Sequence, residues 1–220
     1  WMPVWRILHE SGLARRLADR GCLIATEPTG LRLPGYELVL EHPLLPVLSY
    51  PSEWCAPAFK AAAQVMADLL VALAEAGLTL QDGHLGNLLF RGGEPVFVDL
   101  TSIVPAGPQE TWPAYSEFCR NAVHPLLLMS RDHGGVARSL LWEHDGVTLE
   151  TARALVGDGS LAPFHRPSQG RLWRGARALM PARVRDALRG TLPAPTAPGP
   201  ESSAPANAPS LGFLRELRDR

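Results

Sequence analysis

Lysine is all but missing from this chain: of 21 basic residues, Lys60 is the only lysine. A high-GC coding bias accounts for that. Cysteine is scarce as well. Cys22, Cys55 and Cys119 are odd in number, far apart and without a C-x-x-C pair, which argues against a disulfide framework and against a zinc site. A reducing cytoplasm is the expected compartment. No excess charge of one sign is present either, since the formal net charge is -1, so electrostatics name no partner. No apolar run reaches the roughly twenty residues a bilayer-spanning helix needs, and the N-terminus lacks the charged-then-apolar layout of a signal peptide. The expectation is a chain that neither crosses a membrane nor is exported. It opens on Trp1 rather than Met, as a fragment or processed chain does.

What is present is enough for one core with appendages: 220 residues, 46% of them apolar. Ile7, Leu8, Leu13 and Leu17 predict a helix over residues 5 to 20, stopped by Gly21. Cys22 to Thr26 and Tyr36 to Glu41 read as strands of a small, incomplete sheet, separated by turns at Pro28-Thr29-Gly30 and Pro34-Gly35. A Pro-rich connector leads to the strongest helical pattern, Pro57 to Ala76. There Phe59, Met66, Leu69, Leu70 and Leu73 share a face and Gly77 supplies the stop. A further helix is expected from Pro113, kinked at Pro125, with Tyr115, Phe118, Ala122 and Leu126 on one face. Two or three more helices are expected over 135 to 189. Residues 191 to 210 collapse into Pro, Ala and Ser and read as a linker, after which 211 to 220 start an amphipathic helix.

One stretch interrupts this apolar pattern with oxygen-bearing side chains. In "LTLQDGHLGNLLFRGGEPVFVDLTS", residues 78 to 102, Asp82, His84 and Asn87 fall within six positions, and Asp99 follows Asn87 by twelve. Leu88-Leu89-Phe90 and Val96-Phe97-Val98 flank Gly92-Gly93, a tight hairpin signal. Asp82 and Asn87 enter the first strand and Asp99 leaves the second, so strand pairing carries all three to one end of the ribbon. An acid beside two oxygen ligands suits a hard cation. The plainer alternative is a turn whose Asp and Asn satisfy backbone amides.

D-G-H-L-G-N at 82 to 87, with Asp99 in "VFVDL", resembles the catalytic loop and metal-binding Asp of the protein-kinase fold, and more closely of its aminoglycoside-phosphotransferase-like branch. The resemblance implies an α+β, protein-kinase-like fold: a reduced N-terminal lobe and connector over 1 to 50, and a mainly helical C-terminal lobe over 51 to 190. It implies Asp82 as the catalytic base that orients the acceptor hydroxyl and accepts its proton, Asn87 and Asp99 as ligands of Mg2+, and ATP or another nucleotide as cofactor. A narrower resemblance covers residues 5 to 130. "LEHPLLPVLSYPSEW", the 78 to 103 stretch and "ETWPAYSEFCRNAVHPLLL" look like the kinase-like region that precedes a class I S-adenosylmethionine-dependent methyltransferase domain in bacterial two-part proteins. "FLRELRDR" resembles the helix leading into that domain. No Gly-rich cofactor turn is present, so this chain is not expected to methylate.

The departures from the kinase pattern are specific. Active members use a strand lysine on the phosphates, paired with a helix Glu. No lysine precedes Lys60, which leaves Arg6 as the substitute and Glu10 as its acid, although Arg and Lys are not equivalent at such sites. His84 is a further cofactor-loop candidate, and Thr101 and Ser102 are placed to order the metal loop. Either strands preceding Trp1 complete the N-terminal lobe or this branch lacks them. Three functions stand open. The first is a kinase-like domain that binds Mg-nucleotide or substrate and is accessory to a downstream methyltransferase domain. The second is an active phosphotransferase on a small hydroxyl compound. The third is a nucleic-acid binder or scaffold using the seven arginines of residues 166 to 189, a segment that reads more simply as a solvated helix face. Trp54, Trp112 and Tyr115 are expected in the core.

Overall fold

The pattern of Phe59, Met66, Leu69 and Leu73 in the sequence dictates the centre of the molecule. The computed structural model describes residues 1–107, 112–143, 146–162 and 164–165. In it Ala56–Glu75 forms one helix whose apolar face is wholly buried; each such large side chain contributes about 1.5–3 kcal/mol. Pro57 sits in its first turn, where no amide hydrogen bond is lost, and Gly77 at φ 74° turns the chain out of it. By length and composition this helix could cross a membrane, contrary to the expectation from apolar runs, yet half of its apolar window is buried inside the fold.

Before it come α1 (Met2–Glu10) and α2 (Leu13–Asp19). The single helix expected over 5 to 20 is broken, because Gly12 adopts φ 67° between them. The strands expected at Cys22 to Thr26 and Tyr36 to Glu41 are mostly extended loop. Only β1 (Glu27–Pro28) and β2 (Leu40–Glu41) pair, antiparallel, while Leu23 makes an isolated parallel bridge to Phe97. With α3 as Ala56–Glu75, the chain continues through β3 (Leu78–Leu80), β4 (Leu88–Arg91), β5 (Glu94–Phe97) and β6 (Ile103–Pro105).

Two antiparallel pairs result. β4 and β5 form the expected hairpin, closed by Arg91 opposite Glu94 with Gly92 and Gly93 at φ 60° and 99°, the positive values such a two-residue turn demands. β3 and β6 pair outside it, Leu78 opposite Pro105 and Leu80 opposite Ile103, and so bracket the loop and hairpin between them. Trp54, Trp112 and Tyr115 are buried as expected.

The helix expected from Pro113 is composite: α4 (Tyr115–Phe118), a π turn over Cys119–Val123, and α5 (His124–Met129). Its irregularity lies ahead of Pro125, which occupies the first turn of α5. Then follow α6 (Gly134–Glu143), α7 (Leu149–Val156) and α8 (Asp158–Leu161), around a smaller cluster of Leu128, Ala137, Val147, Ala152 and Leu161. The arrangement is α+β. The Arg-rich segment from 166, the linker over 191 to 210 and the terminal helix lie outside the described residues.

Candidate functional site

The hairpin brings Asn87 and Asp99 together. Asn87 immediately precedes β4 and Asp99 lies two residues past the end of β5, and the Val98 amide between them extends the ladder by donating to the Asn87 carbonyl at 2.9 Å. Across this open end Asn87 Nδ2 donates to Asp99 Oδ2 at 3.4 Å. Both residues are half-buried.

The two carboxylate oxygens of Asp99 have different work. Oδ1 caps the 3-10 turn Leu100–Ser102, accepting from the Thr101 amide at 3.0 Å, the Thr101 hydroxyl at 2.5 Å and the Ser102 amide at 3.3 Å. Three donors hold the carboxylate in one orientation. Oδ2 is thereby left to face Asn87. Thr101 and Ser102 thus order the loop as their place in the sequence suggested.

Asp82 reaches the same region from β3. Its amide donates to the hydroxyl of buried Ser102 at 3.2 Å, and the preceding Gln81 amide donates to the Ser102 carbonyl at 2.8 Å. Its half-buried carboxylate accepts no hydrogen bond from any described residue. Gly83 comes next and leans on α4. Its amide donates to Glu117 Oε2 at 2.6 Å, and a Cβ here would collide with the Ala114 carbonyl and lie 2.7 Å from the Phe118 amide nitrogen. Glycine is required by this close approach. Leu85, fully buried, anchors the short 3-10 turn Leu85–Asn87.

His84, half-buried, precedes that turn and lines a cavity of about 300 Å³ with Tyr50, Ser52, Asn121 and Trp142. No hydrogen bond joins it to Asn87 among the described residues. Arg6 and Glu10 both lie exposed on α1 rather than one on a strand and one on a helix, and no ion pair joins them among the described residues. Helix α1 does touch the site, because Trp1 Nε1 donates to the Leu100 carbonyl at 3.2 Å, beside Asp99. Lys60 is exposed on α3 at an apolar cavity of about 540 Å³ formed with Phe118, Val123 and Leu126.

Chemically, the hairpin end offers a carboxylate oxygen and a side-chain amide oxygen, available once Asn87 turns its amide over, to a cation that prefers few protein oxygens. The donor set fits magnesium. Glu117 is absent from the expected set and Trp112 is expected only as a core residue; its Nε1 donates to the Leu80 carbonyl at 2.8 Å and fixes β3 from the far side of the loop. Neither carries a spacing signal, being more than thirty residues from its partner in sequence.

A second group lies apart from this one. Cys119, His124 and His165 present ligand atoms that all fall within 4.8 Å of one another. His124 Nδ1 lies 2.7 Å from the Val147 carbonyl and its Nε2 lies 3.0 Å from His165 Nε2. Burial lowers the His124 pKa to about 4, opposed by the Val147 bond and reinforced by His165 and Arg120. Burial also pushes the Cys119 thiol up to about 12, with Tyr115 opposing, and holds the Tyr115 hydroxyl well above its ordinary value. The cysteines are all free, as expected. The spacing that argues against a zinc site gives no sign of this juxtaposition, because the fold assembles the group from residues that no short motif links.

Among curated proteins, the chain is similar to the nodulation protein NoeA of Rhizobium meliloti (strain 1021), 36% identical over 121 residues, which is 53% of this chain and 25% of that protein. The chain therefore matches about a quarter of its relative's length. No family model matches it, and no solved structure does.

Proposed function

We propose that this chain is a kinase-like module, of protein-kinase-like fold with a reduced N-terminal lobe, that binds a magnesium-nucleotide or a small hydroxyl substrate at Asp82, Asn87 and Asp99. It acts as an accessory to a downstream S-adenosylmethionine-dependent methyltransferase domain and transfers phosphate weakly or not at all by itself. The observation that carries this reading is the Asn87–Asp99 pairing across the open end of a Gly-Gly hairpin, with Asp82 tied to the same turn through Ser102. The order of β3, loop, hairpin and β6 supports it.

The roles are those the kinase-like reading implies. Asp82, on an amide-anchored loop with its carboxylate unengaged by described residues, orients an acceptor hydroxyl and takes its proton. Asp99, clamped at Oδ1, presents Oδ2, and Asn87 sits beside it. Magnesium, when bound there, would neutralise nucleotide phosphates. Among the described residues, no fixed cation for the α/β-phosphates stands at this site. Arg6 is exposed and shares a helix with Glu10, and Lys60 belongs to another face of α3. The absence of one such preorganised charge costs on the order of 3 kcal/mol at the transition state, about a hundredfold in rate.

The test is a radiolabelled-ATP assay against a broad set of hydroxyl compounds, with Asp82→Ala as control. Turnover far below the roughly 1 per second of slow kinases is expected. Turnover near that rate, abolished in Asp82→Ala, would instead make the chain a true small-molecule phosphotransferase with Arg6 in the lysine's place.

A further inference from the structure

The π turn at Cys119–Val123 has a geometric consequence. In a regular α-helix, residues five apart point to different sides, roughly 140° from each other about the axis. In the π turn the His124 amide bonds back to the Cys119 carbonyl, five residues earlier, and the widened turn brings both side chains to one side. Such insertions are rare and concentrate at functional sites. This one is held in place by an outside strand of chain. The Val147 amide donates to the Arg120 carbonyl at 2.8 Å, and Gly146 passes so close that a Cβ would stand 2.6 Å from that same oxygen.

The same segment sets the tautomer of His124. A carbonyl can only accept, so the 2.7 Å contact with Val147 O places the ring proton on Nδ1 and leaves the Nε2 lone pair pointing at His165 Nε2, 3.0 Å away. A backbone carbonyl on the far nitrogen is the usual outer partner of a metal-ligating imidazole. Cys119 Sγ completes a triangle whose edges are all within 4.8 Å. Two Zn–N bonds of about 2.05 Å reach tetrahedral geometry at an N···N separation of about 3.35 Å, so the two rings need part by only about 0.35 Å.

We propose that Cys119, His124 and His165 bind a zinc-type divalent ion, with solvent in the fourth position. One thiol, two imidazoles and burial favour a borderline-soft metal over magnesium or calcium. Cys119 and His124 are buried in the helical core, and His165 is half-buried and gives the ion its way in. On binding, the Cys119 S–H bond breaks, its electron pair forms the metal–sulfur bond and the proton leaves to solvent; nothing is oxidised or reduced. The ion staples the chain after α8 onto the π turn. That turn continues from α4, whose Glu117 holds Gly83 beside Asp82, so the metal would stiffen the support of the first site without belonging to it. The proposal does not depend on the kinase-like reading.

The full chain, stripped with chelator under reducing conditions and titrated with Co(II), tests it. One equivalent is expected to bind with a thiolate-to-cobalt charge-transfer band that zinc abolishes by displacement. Cys119→Ser should remove the band, and Cys55→Ser, at an exposed thiol, should leave it intact. Should Cys119→Ser fail to fold, His165→Ala at the half-buried position decides. Losing an outer partner of a ligand costs about 10–100-fold in affinity, so losing this ligand should cost at least about a hundredfold, with the far-ultraviolet circular dichroism unchanged. No charge-transfer band in the parent chain, a band lost in Cys55→Ser, or undiminished affinity in folded His165→Ala would overturn the site in favour of a plain His124–His165 hydrogen bond.

Discussion

The hydroxyl of Ser102 accepts the backbone amide of Asp82 at 3.2 Å, and the amide of the same serine donates to Asp99 at 3.3 Å. One buried residue, through its hydroxyl and its backbone amide, thus joins the two acid-bearing segments. Ser102→Ala leaves the Asp82 amide without its partner in a half-buried setting, a loss of about 1–3 kcal/mol. Denaturant unfolding should show a fall in that range, and magnesium-nucleotide affinity should fall with it. Unchanged stability would mean that water replaces the hydroxyl.

Gly83 gives a sharper test of how the loop is seated. An alanine there meets backbone atoms of α4, which cannot swing aside like a side chain. Overpacking of this kind costs about 1–3 kcal/mol. Gly83→Ala should lower the thermal midpoint, whereas Gly93→Asn, at φ 99° in the open hairpin turn, should cost less.

Stability should also fall as the solution is acidified, through His124. Its pKa stands at about 4 when folded against 6.5 ordinarily, so between those values the unfolded chain binds the proton more readily. The stabilisation is complete above about pH 6.5 and is lost as pH drops toward 4, to a total of about 3 kcal/mol. His165, lowered too, acts in the same direction. Urea unfolding in the presence of chelator at pH 7, 6 and 5 should show a steeper decline for the parent chain than for His124→Gln. Parallel declines would place the titrating group elsewhere.

How much of this could be read from the sequence depends on range. The hairpin was legible because Gly92-Gly93 and two short apolar runs are a local signal, and α3 because its apolar spacing persists for five turns. The break at Gly12 was hidden by an apolar pattern that runs on across it into α2. Strand β6 was hidden too, since three residues ending in Pro105 carry no period of their own and acquire their role by pairing with β3. Asp82, Asn87 and Asp99 announce themselves within one stretch, whereas Glu117 reaches Gly83 from 34 positions away and His165 reaches His124 from 41. Cys119 and His124 are near in sequence, but their spacing suggests opposite helix sides until the π turn is known. Nothing local singles out Arg6 and Glu10, which are exposed on α1, and no hydrogen bond or ion pair joins them to Asp99 among the described residues.

Asn87 and Asp99 are proposed to form one cation site for a nucleotide. Isothermal calorimetry with magnesium and ATP on the parent chain and on Asp99→Asn addresses it directly. The substitution keeps the size of the side chain and takes away its charge and one acceptor. Magnesium-dependent nucleotide binding is expected in the parent and its loss in Asp99→Asn, with the fold intact by circular dichroism. Equal metal and nucleotide binding in the two would contradict it.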